Sequence, residues 1–215
     1  MDAPIEFDVS HIQLQERPLI VCDVDDVVLH FFAPFLAFID AEGHEFLPRS
    51  FRLTGNIVSK ANGSVLEEKD VRRLIEAFFE AQEQWQTPFD RVVDTLATFS
   101  KDADIVFLTA MPPQFWEQRR RLLDRLELDY PLLASLQPKG PIVRSLHRQR
   151  EMPVAFVDDM AHNLHSVSEY VPGCLLINLK PASIVHRMAP AVAAGIPEAN
   201  EWGQAAPLIQ AHIAR

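Results

Sequence analysis

Short apolar runs recur along the chain at residues 19–22, 105–108, 154–157 and 174–179, with a weaker one at 132–136. Runs of this length and apolar density read as strands buried on both faces, as in a parallel sheet. Between them, residues 115–126, 143–150 and 161–170 place apolar side chains at mixed spacings of three and four, the pattern of amphipathic helices. Strand alternating with helix predicts an α/β fold, a parallel sheet covered on both faces.

One connection departs from this rhythm. From Val28 to Asp104 the chain runs for about 75 residues, where a βαβ unit takes about 30, so a segment is inserted here. Its content reads as helical: Phe31, Phe32, Phe35, Leu36, Phe38 and Ile39 form one apolar stripe, and Val71, Leu74, Ile75, Phe78 and Phe79 another. Both stripes suit a packed core. Thr87, Pro88 and Asp90 have the order of an N-cap, a first-turn proline and an early acid, opening a helix through Val92, Val93, Leu96 and Phe99. Gly55, Asn56, Asn62 and Gly63 predict a loop over residues 51–64. The division is therefore a core of residues 1–29 plus 87–215 and a helical insertion of residues 30–86. The Ala-rich tail from Pro181 ends in a predicted helix over residues 202–213.

Composition supports a folded chain, with 48% apolar and 23% charged residues, far from the signature of disorder. Twenty Lys and Arg against 30 Asp and Glu give a formal charge of -10, which opposes phosphate backbones and anionic lipid and argues against nucleic acid or a membrane as partner. The most apolar stretch, residues 27–39, is broken by His30 and Pro34 and is shorter than the roughly 20 residues that span a bilayer. Residues 1–10 are acidic and lack the order of a secretory leader, so the expected location is the cytoplasm. Cys22 and Cys174 lie in strand-like runs without a partner at metal or redox spacing and read as reduced core residues. Nothing in the composition fixes an oligomeric state.

The candidate chemistry sits at the ends of the predicted strands. The first strand runs into Asp23-Val24-Asp25-Asp26-Val27, where residues two apart point to the same side, so Asp23 and Asp25 face one space. In open parallel sheets ligands bind beyond the carboxyl ends of the strands. The second core strand ends in Thr109, a hydroxyl donor; Lys139 opens the helix after the weak strand; the strand at 154–157 ends in Asp158-Asp159. Five carboxylates would crowd one edge. Two like charges 4 Å apart cost about 4 kcal/mol at an effective dielectric near 20, so several such pairs rival a domain stability of roughly 5–15 kcal/mol. Positive charge must answer them. Carboxylates without nearby His or Cys suit a hard cation that keeps some waters, Mg²⁺ above all, and Lys139 adds a second positive charge. The set fits phosphoryl transfer, with a carboxylate nucleophile forming an aspartyl phosphate and the other acid of the pair moving protons. The chain has seven glycines and neither of the Gly-rich phosphate loops, so the anion is left to the metal, the lysine, the hydroxyl and backbone amides.

In this order the residues resemble the four motifs of the haloacid dehalogenase superfamily of phosphohydrolases: DVDDVV at 23–28, VFLTA at 106–110, Lys139, and VAFVDD at 154–159. The resemblance covers about two-thirds of the chain. It implies a Rossmann-like sheet ordered 5-4-1-2-3 with a cap inserted between the first two motifs, where the long insertion lies. It further implies Asp23 as nucleophile, Asp25 as general acid and base, and Thr109 and Lys139 as ligands of the transferred phosphoryl group. Mg²⁺ would be held by Asp158, the Asp23 carboxylate and the Asp25 main-chain carbonyl, with Asp159 helping directly or through water. The chain departs from the family at Asp26 and Val27, where Gly and Thr are frequent. True dehalogenases lack the second aspartate and need no metal, so Asp25 points to phosphate esters.

The leading expectation is a Mg²⁺-dependent phosphomonoesterase acting on a small soluble phosphorylated metabolite, with Arg52, Thr54, Asn56 and Lys60 of the insertion as candidate specificity residues. A catalytically silent relative that binds a metabolite or partner is the first alternative. A phospho-aspartate signalling receiver is the second, disfavoured because it would place its acidic pair first and its lone aspartate next. His162 and His165 lack a third metal ligand and read as solvated or capping, Arg119, Arg120 and Arg121 read as a solvated helix face, and His30 reads as structural.

Overall fold

The apolar runs become strands at the centre of the computed structural model, which describes residues 8–148 and 150–215. Most of the stretch read for a leader and Gln149, in the predicted helix 143–150, lie outside the described residues. In chain order the strands are β1 (Leu19–Cys22), β2 (His44–Phe46), β3 (Ile57–Ser59), β4 (Asp104–Thr109), β5 (Leu132–Ala134), β6 (Val154–Asp158), β7 (Leu175–Leu179) and β8 (Glu198–Ala199). The helices are α1 (Phe32–Ala41), α2 (Glu68–Glu80), α3 (Gln82–Trp85), α4 (Val92–Phe99), α5 (Trp116–Arg125), α6 (Lys139–His147), α7 (Ala161–Tyr170) and α8 (Trp202–Ile213).

Six strands pair in parallel in the order β5-β4-β1-β6-β7-β8. Counting core strands alone, this is 3-2-1-4-5-6, which read from the other edge holds the expected 5-4-1-2-3 with one two-residue strand added outside. A receiver sheet, ordered 2-1-3-4-5, differs. Alternation explains why the strand interiors are almost wholly apolar, their polar residues falling mostly at strand ends. Ile20, Cys22, Ile105, Phe107, Ala155 and Val157 point into one apolar layer, closed by α4, α5 and α8 through Leu96, Leu122 and Trp202. Leu19, Val21, Val106, Leu108 and Phe156 point into the other, closed by α6 and α7 through Val143 and Leu164. Among the described residues no helix is long and apolar enough to cross a membrane.

The insertion builds a third apolar cluster around Phe35, Phe38, Val71 and Phe78, with Met111 and Phe115 of the core packed into it. Phe78 meets the rings of Phe31, Phe35 and Phe38 edge-on. Its two ends are stitched together where Leu29 bridges Pro88 and the His30 amide donates to the Thr87 carbonyl at 2.9 Å. Two elements differ from the sequence reading. The expected loop 51–64 contains β3, which pairs antiparallel with β2, so the insertion is not wholly helical. Pro88 spends itself in the bridge to Leu29, and α4 starts only at Val92, after Arg91 in the left-handed region (φ 63°).

Candidate active site

The turn after β1 is set by backbone hydrogen bonds. The Asp23 amide donates to the Val157 carbonyl at 2.8 Å, holding it beside β6, while the Val28 and Leu29 amides both return to the Val24 carbonyl. Val24 is buried, so Asp23 and Asp25 flank it on the open side. Asp26 has φ 56°, a left-handed conformation in which glycine is freest, and this gives the family's frequent glycine there a physical reason. Asp26 uses its side chain locally: Oδ1 accepts from the Phe31 amide at 2.8 Å and Oδ2 from the Phe32 amide at 3.1 Å, satisfying free donors at the start of α1.

Asp23 and Asp158, at the ends of adjacent strands, meet on one cation. The Lys139 ammonium, at the start of α6 and 2% exposed, donates to Asp23 Oδ1 and to Asp158 Oδ2, the latter at 2.7 Å. Asp158 is further fixed by the Met160 amide at 2.8 Å and by both of its oxygens at 3.1 Å from Asn163 Nδ2. Asn178 donates to the Asp158 and Asp159 main-chain carbonyls and locks the strand end. Burial pushes the Asp23 carboxyl well above the usual range; Lys139 opposes this, and the charges of Asp158, Asp159 and Asp25 add to it. For Lys139 burial works against the charged form, but the two aspartates outweigh it and raise the ammonium above its ordinary value.

Asp25 is held by donors on both oxygens. Oδ1 accepts from Arg119 Nη2 and Gln86 Nε2, each at 2.9 Å; Oδ2 accepts from Arg119 Nη1 and the Thr109 hydroxyl, each at 3.2 Å. Arg119 is fully buried (0% exposed) and also donates to Gln82 Oε1 and, at 3.1 Å, to Gln86 Oε1. This corrects the reading of residues 119–121 as a solvated face. Arg119 lies four residues after Phe115 and three before Leu122, on the apolar side of α5, and that spacing was the available signal. Arg120 is half-buried against the Leu128 and Tyr130 carbonyls, and Arg121, exposed, pairs with Glu83 at 2.8 Å.

A third cation comes from the tail. Buried His186 places Nε2 3.4 Å from Asp26 Oδ2 and 3.8 Å from Asp159 Oδ2, with Nδ1 2.8 Å from the Ser183 hydroxyl. Burial alone would lower its pKa, but Asp159 and Asp26 raise it to about 9. Asp159 is pushed up to about 7 by burial, against the stabilising contact with His186. No spacing in the sequence links His186 to these acids.

Beside this cluster lies a cavity of about 270 Å³, lined by Asp23, Asp25, Asp159 and Lys139 at its floor and by Phe31 and Phe79 of the insertion. The carboxylates of Asp23, Asp25 and Asp159 offer oxygen donors there, as a hard cation requires. Among the described residues no three His, Cys, Asp or Glu side chains gather into a cage. Mg²⁺ needs no such cage, since it keeps several waters and takes one or two carboxylates, so the residues fit it. Arg52, Thr54, Asn56 and Lys60 do not line this cavity. Asn56 is buried, donating to the Arg52 and Ser50 carbonyls as a loop brace, and Lys60 pairs with Asp40 at the surface. His165 is exposed beside Glu169, His162 is exposed at the cavity rim, and the His30 ring stacks on Phe89 at 4.0 Å.

No family model matches the sequence, and no curated protein does. Solved structures do resemble it. A haloacid dehalogenase family hydrolase from Deinococcus radiodurans with bound phosphate and sodium is 12% identical at a TM-score of 0.61, over 92% of this chain and 97% of that one. The haloacid dehalogenase-type hydrolase YfnB of Bacillus subtilis, bound to magnesium, is 14% identical at a TM-score of 0.58, over 91% and 99%. The L-2-haloacid dehalogenase of Xanthobacter autotrophicus is 11% identical at a TM-score of 0.58, over 89% and 98%. With its parallel sheet, its strand order and these neighbours, the chain has the fold of the haloacid dehalogenase-like hydrolases and phosphatases.

Proposed function

We propose that this protein is a Mg²⁺-dependent phosphomonoesterase that works through an aspartyl phosphate on a small soluble phosphorylated metabolite in the cytoplasm. One observation carries the reading: Asp23, Lys139 and Asp158 converge at the point where the strand order reverses, with Asp25 two residues on and a cavity in front. An Asp23 oxygen attacks phosphorus, the bond to the ester oxygen breaks, and the departing alcohol takes a proton from Asp25. Water then attacks phosphorus, gives its proton to Asp25, and phosphate leaves Asp23. Because Asp25 has both oxygens engaged by Arg119, Gln86 and Thr109, it must turn from at least one donor to move a proton. Lys139 balances charge on the attacking carboxylate and on the transferred group, and the Thr109 hydroxyl, which donates to Asp25 Oδ2 at 3.2 Å, would turn from it to meet a phosphoryl oxygen.

Mg²⁺ would be held by Asp23 and Asp158, with Asp159 and the Asp25 main-chain carbonyl completing the oxygen set, and when bound it supplies charge neutralisation at the phosphoryl oxygens. Residues 30–86 act as a cap that excludes water, since Phe31 and Phe79 wall the same cavity as Asp23. The phosphate in the Deinococcus structure and the magnesium in the Bacillus structure agree with this chemistry. Asp25 favours an ester over a haloacid, although a dehalogenase shares the fold. Purified protein is expected to release phosphate from an aryl phosphate in Mg²⁺ and to lose that release in Asp23→Asn. Equal turnover by the variant removes the mechanism. Binding of phosphate esters without turnover of any of them favours the silent relative.

A further inference from the structure

The walls of the cavity carry information about the alcohol half of the substrate, an inference that rests on the phosphatase reading above. Above the acidic floor the lining is Phe31, Phe79, Met111 and Met160, with the small Ala110 and the His162 imidazole at the rim. The Phe31 and Phe79 rings lie 5.7 Å apart and tilted by 34°, a shallow aromatic corner, and methionine sulfur is a soft partner for such faces. Among the described residues no arginine lines the cavity, and the lysine that does, Lys139, is committed to Asp23 and Asp158. The neighbouring guanidinium of Arg119 is committed to Asp25, Gln82 and Gln86, and Asn163 spends its amide on Asp158. A carboxylate or second phosphate on the leaving group would be buried against apolar walls with no free cation to meet it, above a floor of aspartates. At about 270 Å³ the space is also small for a ligand pocket, which favours compact alcohols.

We infer that the natural substrate is a phosphomonoester of a small, uncharged, predominantly apolar alcohol, selected by Phe31, Phe79, Met111 and Met160. His162 adds at most a hydrogen bond to a hydroxyl or amide.

The test compares primary alkyl phosphates of similar leaving-group chemistry: benzyl phosphate, glycerol 3-phosphate, 2-phosphoglycolate and glucose 6-phosphate, each with the wild-type protein in Mg²⁺. The expected result is a kcat/KM for benzyl phosphate roughly 10- to 200-fold above that for 2-phosphoglycolate, the range that one apolar pocket discriminates. Met160→Arg, which adds a guanidinium to the wall, should shift the ratio towards 2-phosphoglycolate by about tenfold or more. If that variant does not fold, Phe79→Leu reads the same wall: kcat/KM for benzyl phosphate should fall by a larger factor than kcat/KM for glycerol 3-phosphate, and an equal fall for both overturns the role of the wall. Turnover of 2-phosphoglycolate or glucose 6-phosphate as good as that of benzyl phosphate overturns the inference and leaves the phosphatase reading standing. Failure to turn over any of the four, with Mg²⁺ present, sinks both.

Discussion

Arg119 is the residue on which the site's geometry most depends. Its guanidinium, 0% exposed, spreads four hydrogen bonds over Asp25, Gln82 and Gln86, a planar fork that lysine cannot copy. Removing one partner of a buried ion pair costs about 3–5 kcal/mol, and because Asp25 keeps some contact with solvent, Arg119→Met belongs at the lower end, about 3 kcal/mol. Arg119→Lys should fall between the two, since it keeps the charge and loses the fork. Urea unfolding midpoints measure both, and a Met variant within about 0.5 kcal/mol of wild type would mean that the pair contributes no stability. The partnership was invisible along the chain for a plain reason: 94 residues separate Arg119 from Asp25, and three successive arginines in an acidic protein look like surface. Asp23, Asp25, Asp158 and Asp159 stood out because each pair follows a strand and the sheet then brings the strand ends together. The cations that answer them, Arg119 and His186, arrive from a helix face and a tail with no motif of their own.

At the level of elements, five of the parallel strands were legible because burial on both faces leaves few polar positions to confuse the pattern, and β1 has the predicted bounds, whereas the two-residue β8 is too short to show. The β2-β3 ribbon was not, since three-residue strands are too short to show alternation. The start of α4 was misplaced because Pro88 serves equally as a first-turn residue and as the end of a bridge. The contact between α6 and α7 leads to a sharper expectation. Gly140 donates its amide to the Ser166 hydroxyl at 3.0 Å, and a Cβ there would stand 2.2 Å from the Ser166 carbonyl oxygen. Gly140→Ala must therefore push the helices apart, an overpacking of about 1–3 kcal/mol. Lys139 precedes this glycine, so the same shift draws the ammonium away from Asp23 and Asp158. Thermal unfolding and phosphate release should fall together, and an unchanged midpoint would show that the helices can separate without strain.

Across the whole molecule, the site is a balance between charges supplied by distant elements. Fully ionised, Asp23, Asp25, Asp26, Asp158 and Asp159 face Lys139 of α6, Arg119 of α5 and His186 of the tail, each already in contact with one or two of them. Five negative charges against three positive leave a deficit that one divalent ion would match, so Mg²⁺ should bind the folded chain and stabilise it even with no substrate present. A ligand at about 100 times its Kd adds about 2.7 kcal/mol, which for a chain of this size corresponds to a rise in Tm of roughly 5–10 °C. Potassium at matched ionic strength should give little of this, because screening alone does not bridge carboxylates. Asp158→Asn removes one charge and one oxygen donor from the acid that shares Lys139 with Asp23, and the Mg²⁺-dependent rise should shrink or vanish in it. Calorimetric scans of both proteins in Mg²⁺ and in potassium decide the matter. An equal rise in the variant would place the ion elsewhere, and no rise in either would mean that the three protein cations already satisfy the cluster.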